Sequence, residues 1–229
     1  MTIAASGVVS VILALLTGCG GLVAGSPLAA DQTAVQRRIP GDLAALLPDP
    51  GQFPARYPAV RLPPEAAAQA AGDLTGVPRG ARVTPASCTP PAAAPGPENT
   101  AVAVGTDNET RATLTVELTR TTRPLSELRA QLLGCGEMQV SGAGPTTTVR
   151  TTLVDPPDVD ADDTLALRHT VRPDVGGVGL VQTMRTVAAQ IADVRITVTY
   201  MIFAEVTEIP DSAAQDELFA VAVREVREA

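Results

Sequence analysis

Between Arg111 and Leu118 polar and apolar side chains alternate without a break. Ala112, Leu114, Val116 and Leu118 fall on one side, and Arg111, Thr113, Thr115 and Glu117 on the other. A period of two marks a strand with one face buried and one polar. The pattern constrains the fold more than any other feature because it recurs. Ala101 to Val104 reads as a short strand joined to this one by a turn at Thr106-Asp107-Asn108. Further strands are expected over 146–154, 164–172, 179–191 and 194–203, with turns at Gly176-Gly177 and Ala192-Asp193. Strands that follow one another through short turns pair antiparallel. Aromatic residues make up only 2 % of the chain, so the core has to be assembled from Val, Leu, Ile and Ala.

Helical spacing appears before, within and after the strands. Asp42 to Leu47 reads as a short helix stopped by Pro48, and Pro64 to Ala71 as a second that opens on proline. Leu125, Leu128, Leu132 and Leu133 follow Pro124 at helical spacing, and Gly134 ends that run. From Asp211 to Glu228 the residues Leu218, Phe219, Ala222 and Val226 share one helical face, with Asp211 or Ser212 as N-cap. The expected fold class is α+β: an antiparallel sheet of about five to six strands flanked by helices, with one disulfide.

Residues 7–18 form an uncharged apolar run, well short of the ~20 residues that cross a bilayer but of the length of an export signal. The run ends in Leu16-Thr17-Gly18-Cys19, which resembles the lipobox of bacterial lipoproteins. That resemblance implies cleavage before Cys19 and lipidation of its thiol. The expected organisation is a signal peptide over 1–18, a flexible tether rich in small residues over 19–38, and one domain over 39–229 held at the outer face of the cell membrane. With Cys19 lipidated, Cys88 and Cys135 remain, and an even pair in an exported chain is read as a disulfide. It would tie a proline-rich loop to a helix end.

Seventeen basic against 25 acidic residues give a net charge of −8, no cationic segment stands out, and few aromatics are available for base stacking, so nucleic acid is excluded as a partner. His169, the single histidine, alternates in phase with Leu165, Leu167 and Val171, which places it in the core. There is no Gly-x-Ser-x-Gly and no reactive cysteine, so no catalytic residue is assigned and no enzyme is expected. The acidic run Asp155 to Asp163 opens like a calcium loop. It then carries Asp163 at the sixth position from Asp158 and His169 at the twelfth, where Gly and Glu belong. It reads as a solvated turn, and neither metal nor cofactor is expected.

The polar sides of the later strands carry Thr148, Arg150 and Thr152, then Arg168, Thr170 and Arg172, then Arg195, Thr197 and Thr199. Guanidinium forks beside hydroxyls can recognise a phosphate, a carboxylate or a sugar. Arg150, Arg168, Arg172 and Arg195 are therefore the candidate ligand face, with Arg150, Arg168 and Arg195 expected to converge. The alternative is a wet face whose arginines pair with neighbouring carboxylates.

Leu46-Leu47-Pro48, Phe53-Pro54, Val83-Thr84-Pro85-Ala86-Ser87-Cys88, Thr113 to Leu118 and Leu165-Ala166-Leu167-Arg168 together resemble the sensor-domain lipoproteins of mycobacteria and related actinobacteria. They are similar to the extracellular sensor domain of a mycobacterial receptor serine/threonine kinase. The resemblance implies an antiparallel sheet flanked by helices, a cleft for an unnamed ligand, and no catalysis. The kinase relative has two disulfides where this chain has cysteines for one, and the kinase signatures themselves are absent. The expected function is a membrane-anchored, non-catalytic, sensor-like domain that binds a small ligand, a glycan or an envelope protein. The alternative is a lipid or glycolipid carrier, for which a core of small side chains leaves little room.

Overall fold

The alternating segment becomes one of nine strands that the described residues form in a single antiparallel sheet. They are β1 (Ala59–Arg61), β2 (Arg82–Thr84), β3 (Thr100–Thr106), β4 (Thr113–Arg120), β5 (Glu137–Ser141), β6 (Thr147–Val154), β7 (Asp163–Pro173), β8 (Gln182–Ile191) and β9 (Val194–Ile202). Their order is β1-β3-β4-β9-β8-β7-β6-β5-β2. The computed structural model describes residues 37–78, 80–91, 96–142, 144–175 and 181–229. The export segment, Cys19, most of the tether and the expected turn at Gly176-Gly177 lie outside them.

The sheet exceeds the five to six strands expected from the sequence. Strands β1 and β2 have three residues each and adjoin Pro58 and Pro85, too short a stretch to display a period. Strand β5 does alternate, burying Met138 and Val140 and exposing Glu137 and Gln139, but only over five residues beside Cys135-Gly136. The expected β3–β4 hairpin is present, with Ala103 opposite Val116. Strands β5 to β9 run as a meander, and β9 then pairs with β4, bringing Val198 opposite Val116.

Both faces of the sheet carry helices. On one, α3 (Ser212–Arg227) packs Leu218, Phe219, Ala222 and Val226 onto Val116, Leu118, Val187, Ile196 and Val198. Leu43, Leu47, Phe53 and Tyr57 from the N-terminal segment complete that core. The helix expected at Asp42 shortens to a single 3-10 turn over Leu43–Ala45, where the Asp42 carboxylate accepts from Ala44 N at 3.1 Å. Asp211 stands at the cap position of α3, but its carboxylate accepts from the Tyr57 hydroxyl instead of a helix amide.

On the opposite face α2 (Leu125–Leu133) seats Leu125 against Leu165, Leu167 and Ala188, with Leu128 and Leu132 partly buried. Leu133 was expected on that stripe; instead it sits 72 % exposed where the helix ends at Gly134. Cys88 and Cys135 are bonded, with Cα atoms 5.6 Å apart, among Val83, Met138, Val140, Val149, Val171 and Met184. Helix α1 (Pro64–Asp73) buries Ala67 and Ala71, and the turn beyond it lays Gly76 on this same face. A Cβ at Gly76 would stand 3.0 Å from Val171 Cγ2, and its φ of +72° favours glycine.

A buried clasp fixes the start of the described chain to the middle of the sheet. Asp193 Oδ1 accepts from Ile39 N at 2.7 Å, Arg120 Nη1 meets Asp193 Oδ2 at 2.6 Å, and Arg120 Nη2 donates to Gly41 O at 2.8 Å.

Candidate functional site

Strand register decides which of the expected ligand residues share a surface. Arg150 faces Thr170, Arg168 faces Thr152, and Arg172 faces Thr148 across β6 and β7. These three arginines occupy the α3 face, at the end of the sheet that α3 leaves uncovered. Arg168 in turn faces Arg185 on β8, which faces Tyr200 on β9. Even-numbered residues of β9 therefore lie on this face, and Arg195 lies on the other. The expected convergence of Arg150, Arg168 and Arg195 is thus corrected by the pairing of β9 with β8, which places Arg195 opposite Gln190.

On the α3 face the arginines are engaged within the protein. Arg150 Nε meets Glu137 Oε2 at 2.7 Å, and this bond is the first cause that raises the Arg150 pKa above the ordinary guanidinium value. Arg172 pairs with Glu205, Arg168 donates to the Thr207 carbonyl, and Thr148 Oγ1 meets Asp174 Oδ1 at 3.2 Å. These contacts are at least partly exposed, and solvent screens them, so they stabilise little. This arrangement is the wet, carboxylate-paired face that stood as the alternative reading.

The other face holds a less ordinary group. Its apolar contacts lie under α2 and around the disulfide. Next to them β4 presents Thr113, Thr115, Glu117 and Thr119, and β9 presents Arg195, Thr197 and Thr199, side by side, with Thr197 opposite Ala188. Glu117, Thr119, Arg195 and Thr197 are half-buried, and Thr115 and Thr199 are buried. Thr113 Oγ1 is buried without a hydrogen-bond partner among the described residues. Thr199 shares a 3.0 Å hydrogen bond with Thr186 of β8. Burial raises the Glu117 carboxyl above the usual carboxylate range, a shift opposed by the Thr119 hydroxyl at 2.8 Å and by the charge of Arg195. Burial likewise pulls Arg195 below the usual guanidinium value.

The sequence carries this group in plain view as the polar sides of the alternating segment and of the last strand. What alternation alone does not contain is that helices cover both sides of the sheet, so the polar column of β4 and β9 sits partly inside. Gln190, which accepts from Arg195 Nε at 3.3 Å, also lines a cleft of about 520 Å³ at the sheet end, together with Arg37, Leu125, Asp162, Asp163 and Arg227.

The remaining sequence candidates resolve simply. His169 is buried, and its Nδ1 lies 2.8 Å from Thr151 Oγ1. Desolvation lowers its pKa to about 4. The acidic run forms a loop fastened by arginines: Arg227 meets Asp160 at 3.1 Å and Asp162 at 3.3 Å, and Arg129 meets Asp163 at 3.0 Å. No cluster of His, Cys, Asp or Glu among the described residues is arranged to hold a metal ion.

Comparison with known proteins gives a family and two loose structural likenesses. The family described as Domain of unknown function (DUF5642) matches residues 46–227. An Rv0999 ortholog from Mycobacterium smegmatis is similar at 15 % identity and a TM-score of 0.46, over 81 % of this chain and 97 % of that one. The extracellular domain of PknH from Mycobacterium tuberculosis is similar at 11 % identity and a TM-score of 0.37, over 57 % of this chain and 64 % of that one. No curated protein matches.

Proposed function

The chain belongs to the DUF5642 family, and on that premise we propose that it is an exported, lipid-anchored domain of the cell envelope that binds a small polar ligand without catalysis. The observation that carries this reading is the half-buried polar group on β4 and β9. Desolvated charges placed in a face otherwise packed with Leu, Val and Met destabilise a fold unless something uses them. The adjoining cleft is lined by Arg and Asp side chains, which suits a polar ligand better than an acyl chain. The resemblance of the sequence motifs to sensor-domain lipoproteins supports the non-catalytic role, and Leu16-Thr17-Gly18-Cys19 after its apolar run supports the anchor.

One purification tests both parts. The full chain is extracted from the membrane fraction, the Cys19→Ala variant from the soluble fraction, and each is analysed by mass spectrometry for molecules that accompany it. The reading expects release of the variant from the membrane and recovery of a small polar compound. Bound acyl chains would point to a carrier, and a variant that stays fully in the membrane fraction would sink the anchor.

A further inference from the structure

Glu117 and Arg195 are diagonal neighbours. Glu117 stands opposite Thr197, and Arg195 stands opposite Thr119. Such positions lie ~7–8 Å apart along the sheet, close enough for two long side chains to meet. Opposite charges half-buried side by side usually close on one another, because each is less well hydrated there than in open water. Here they do not close. Arg195 turns its Nε to Gln190 Oε1 and its Nη2 to the Arg123 carbonyl, while Glu117 Oε1 takes the Thr119 hydroxyl. Among the described residues no bond joins the two, and Glu117 Oε2 and Arg195 Nη1 have no hydrogen-bond partner there but remain open to solvent. Each group nonetheless feels the charge of the other. Thr197, half-buried beside them, makes no side-chain hydrogen bond among the described residues.

A gap with a carboxylate on one side, a guanidinium on the other and a hydroxyl between has a definite complement. A simple anion satisfies Arg195 but sits against Glu117, and a simple cation does the reverse. Only a ligand carrying both charges relieves both groups. Resting on the binding role proposed above, we infer that this gap is the recognition site for a compact zwitterion, its ammonium on Glu117 Oε2 and its carboxylate on Arg195 Nη1. The Thr119 and Gln190 contacts are what hold the two receptors apart, so they act as positioning residues.

The test is calorimetric titration of the full chain in detergent with glycine, β-alanine and γ-aminobutyrate, whose charges are progressively farther apart, and with propionate and propylammonium as the two halves. At least one of the three zwitterions is expected to bind about tenfold or more tightly than either half. Glu117→Gln keeps the shape and an oxygen for the Thr119 hydroxyl, and should weaken that zwitterion about tenfold or more while propionate binds more tightly, the opposing charge being gone. Arg195→Gln should weaken the zwitterion and propionate alike. If propionate equals every zwitterion on the wild-type chain, or Glu117→Gln leaves the best one untouched, the zwitterion site is overturned. If none of the three binds but mass spectrometry recovers another small molecule, this inference fails and the broader binding role stands. If neither experiment finds a ligand, both fail.

Discussion

A histidine that stays neutral inside a protein makes stability depend on pH in one direction only. His169 titrates near 4 in the fold, whereas an unfolded chain takes up the same proton near ~6.5. Between those values the unfolded state holds more protons, so stability falls as pH falls from about 6.5 toward 4, by up to about 3 kcal/mol. Urea unfolding at pH 7 and pH 4.5 should show a larger acid loss for the wild-type chain than for His169→Gln; equal losses would mean that His169 does not carry this linkage. Its place in the core was legible because phase with Leu165, Leu167 and Val171 is a relation within one strand. The side of Arg195 was not legible for the complementary reason. Alternation says that Arg195, Thr197 and Thr199 share a side, but which side follows from pairing with β8, a relation between strands.

Among the elements, the β8–β9 hairpin is the most exacting. Its two turn residues are Ala192 and Asp193, and Ala192 holds a φ of +50°. Two-residue hairpins favour glycine at such a position, and a side chain there costs ~1–2 kcal/mol. The alanine is kept in place by Asp162 Oδ2, which accepts from Ala192 N at 2.8 Å, and by the clasp through Asp193. Ala192→Gly is therefore expected to raise stability by about 1 kcal/mol in denaturant melts; a lower midpoint would show that the turn is not strained. This turn could be placed from sequence because long alternating runs flank it. Strands β1, β2 and β5 could not, since three to five residues carry too few repeats of a two-residue period. Helix α3 was legible almost to its ends because sixteen residues give its apolar stripe room to repeat.

For the molecule as a whole the disulfide ties the turn at Cys88 to the end of α2 at Cys135, beside the ladder that already pairs β2 with β5. A bridge across 47 positions removes about 4 kcal/mol of unfolded-chain freedom in the loop-entropy description. That is a large fraction of the ~5–15 kcal/mol that stabilises a typical domain. Cys88→Ala/Cys135→Ala should accordingly lower the denaturant midpoint sharply without changing the strand content seen by circular dichroism, and a midpoint within error of wild type would remove the bridge from the stability account. The two edge strands carry a different consequence. An open sheet offers its outermost backbone amides and carbonyls as a template on which another chain can add, and a long flat edge invites polymerisation. Here the longest strands, β7 and β8, are interior, while each outermost strand is three residues long and adjoins a proline that cannot donate to a ladder. Copies crowded together on one surface would find almost no edge on which to grow, so the sheet ends with the chain that made it.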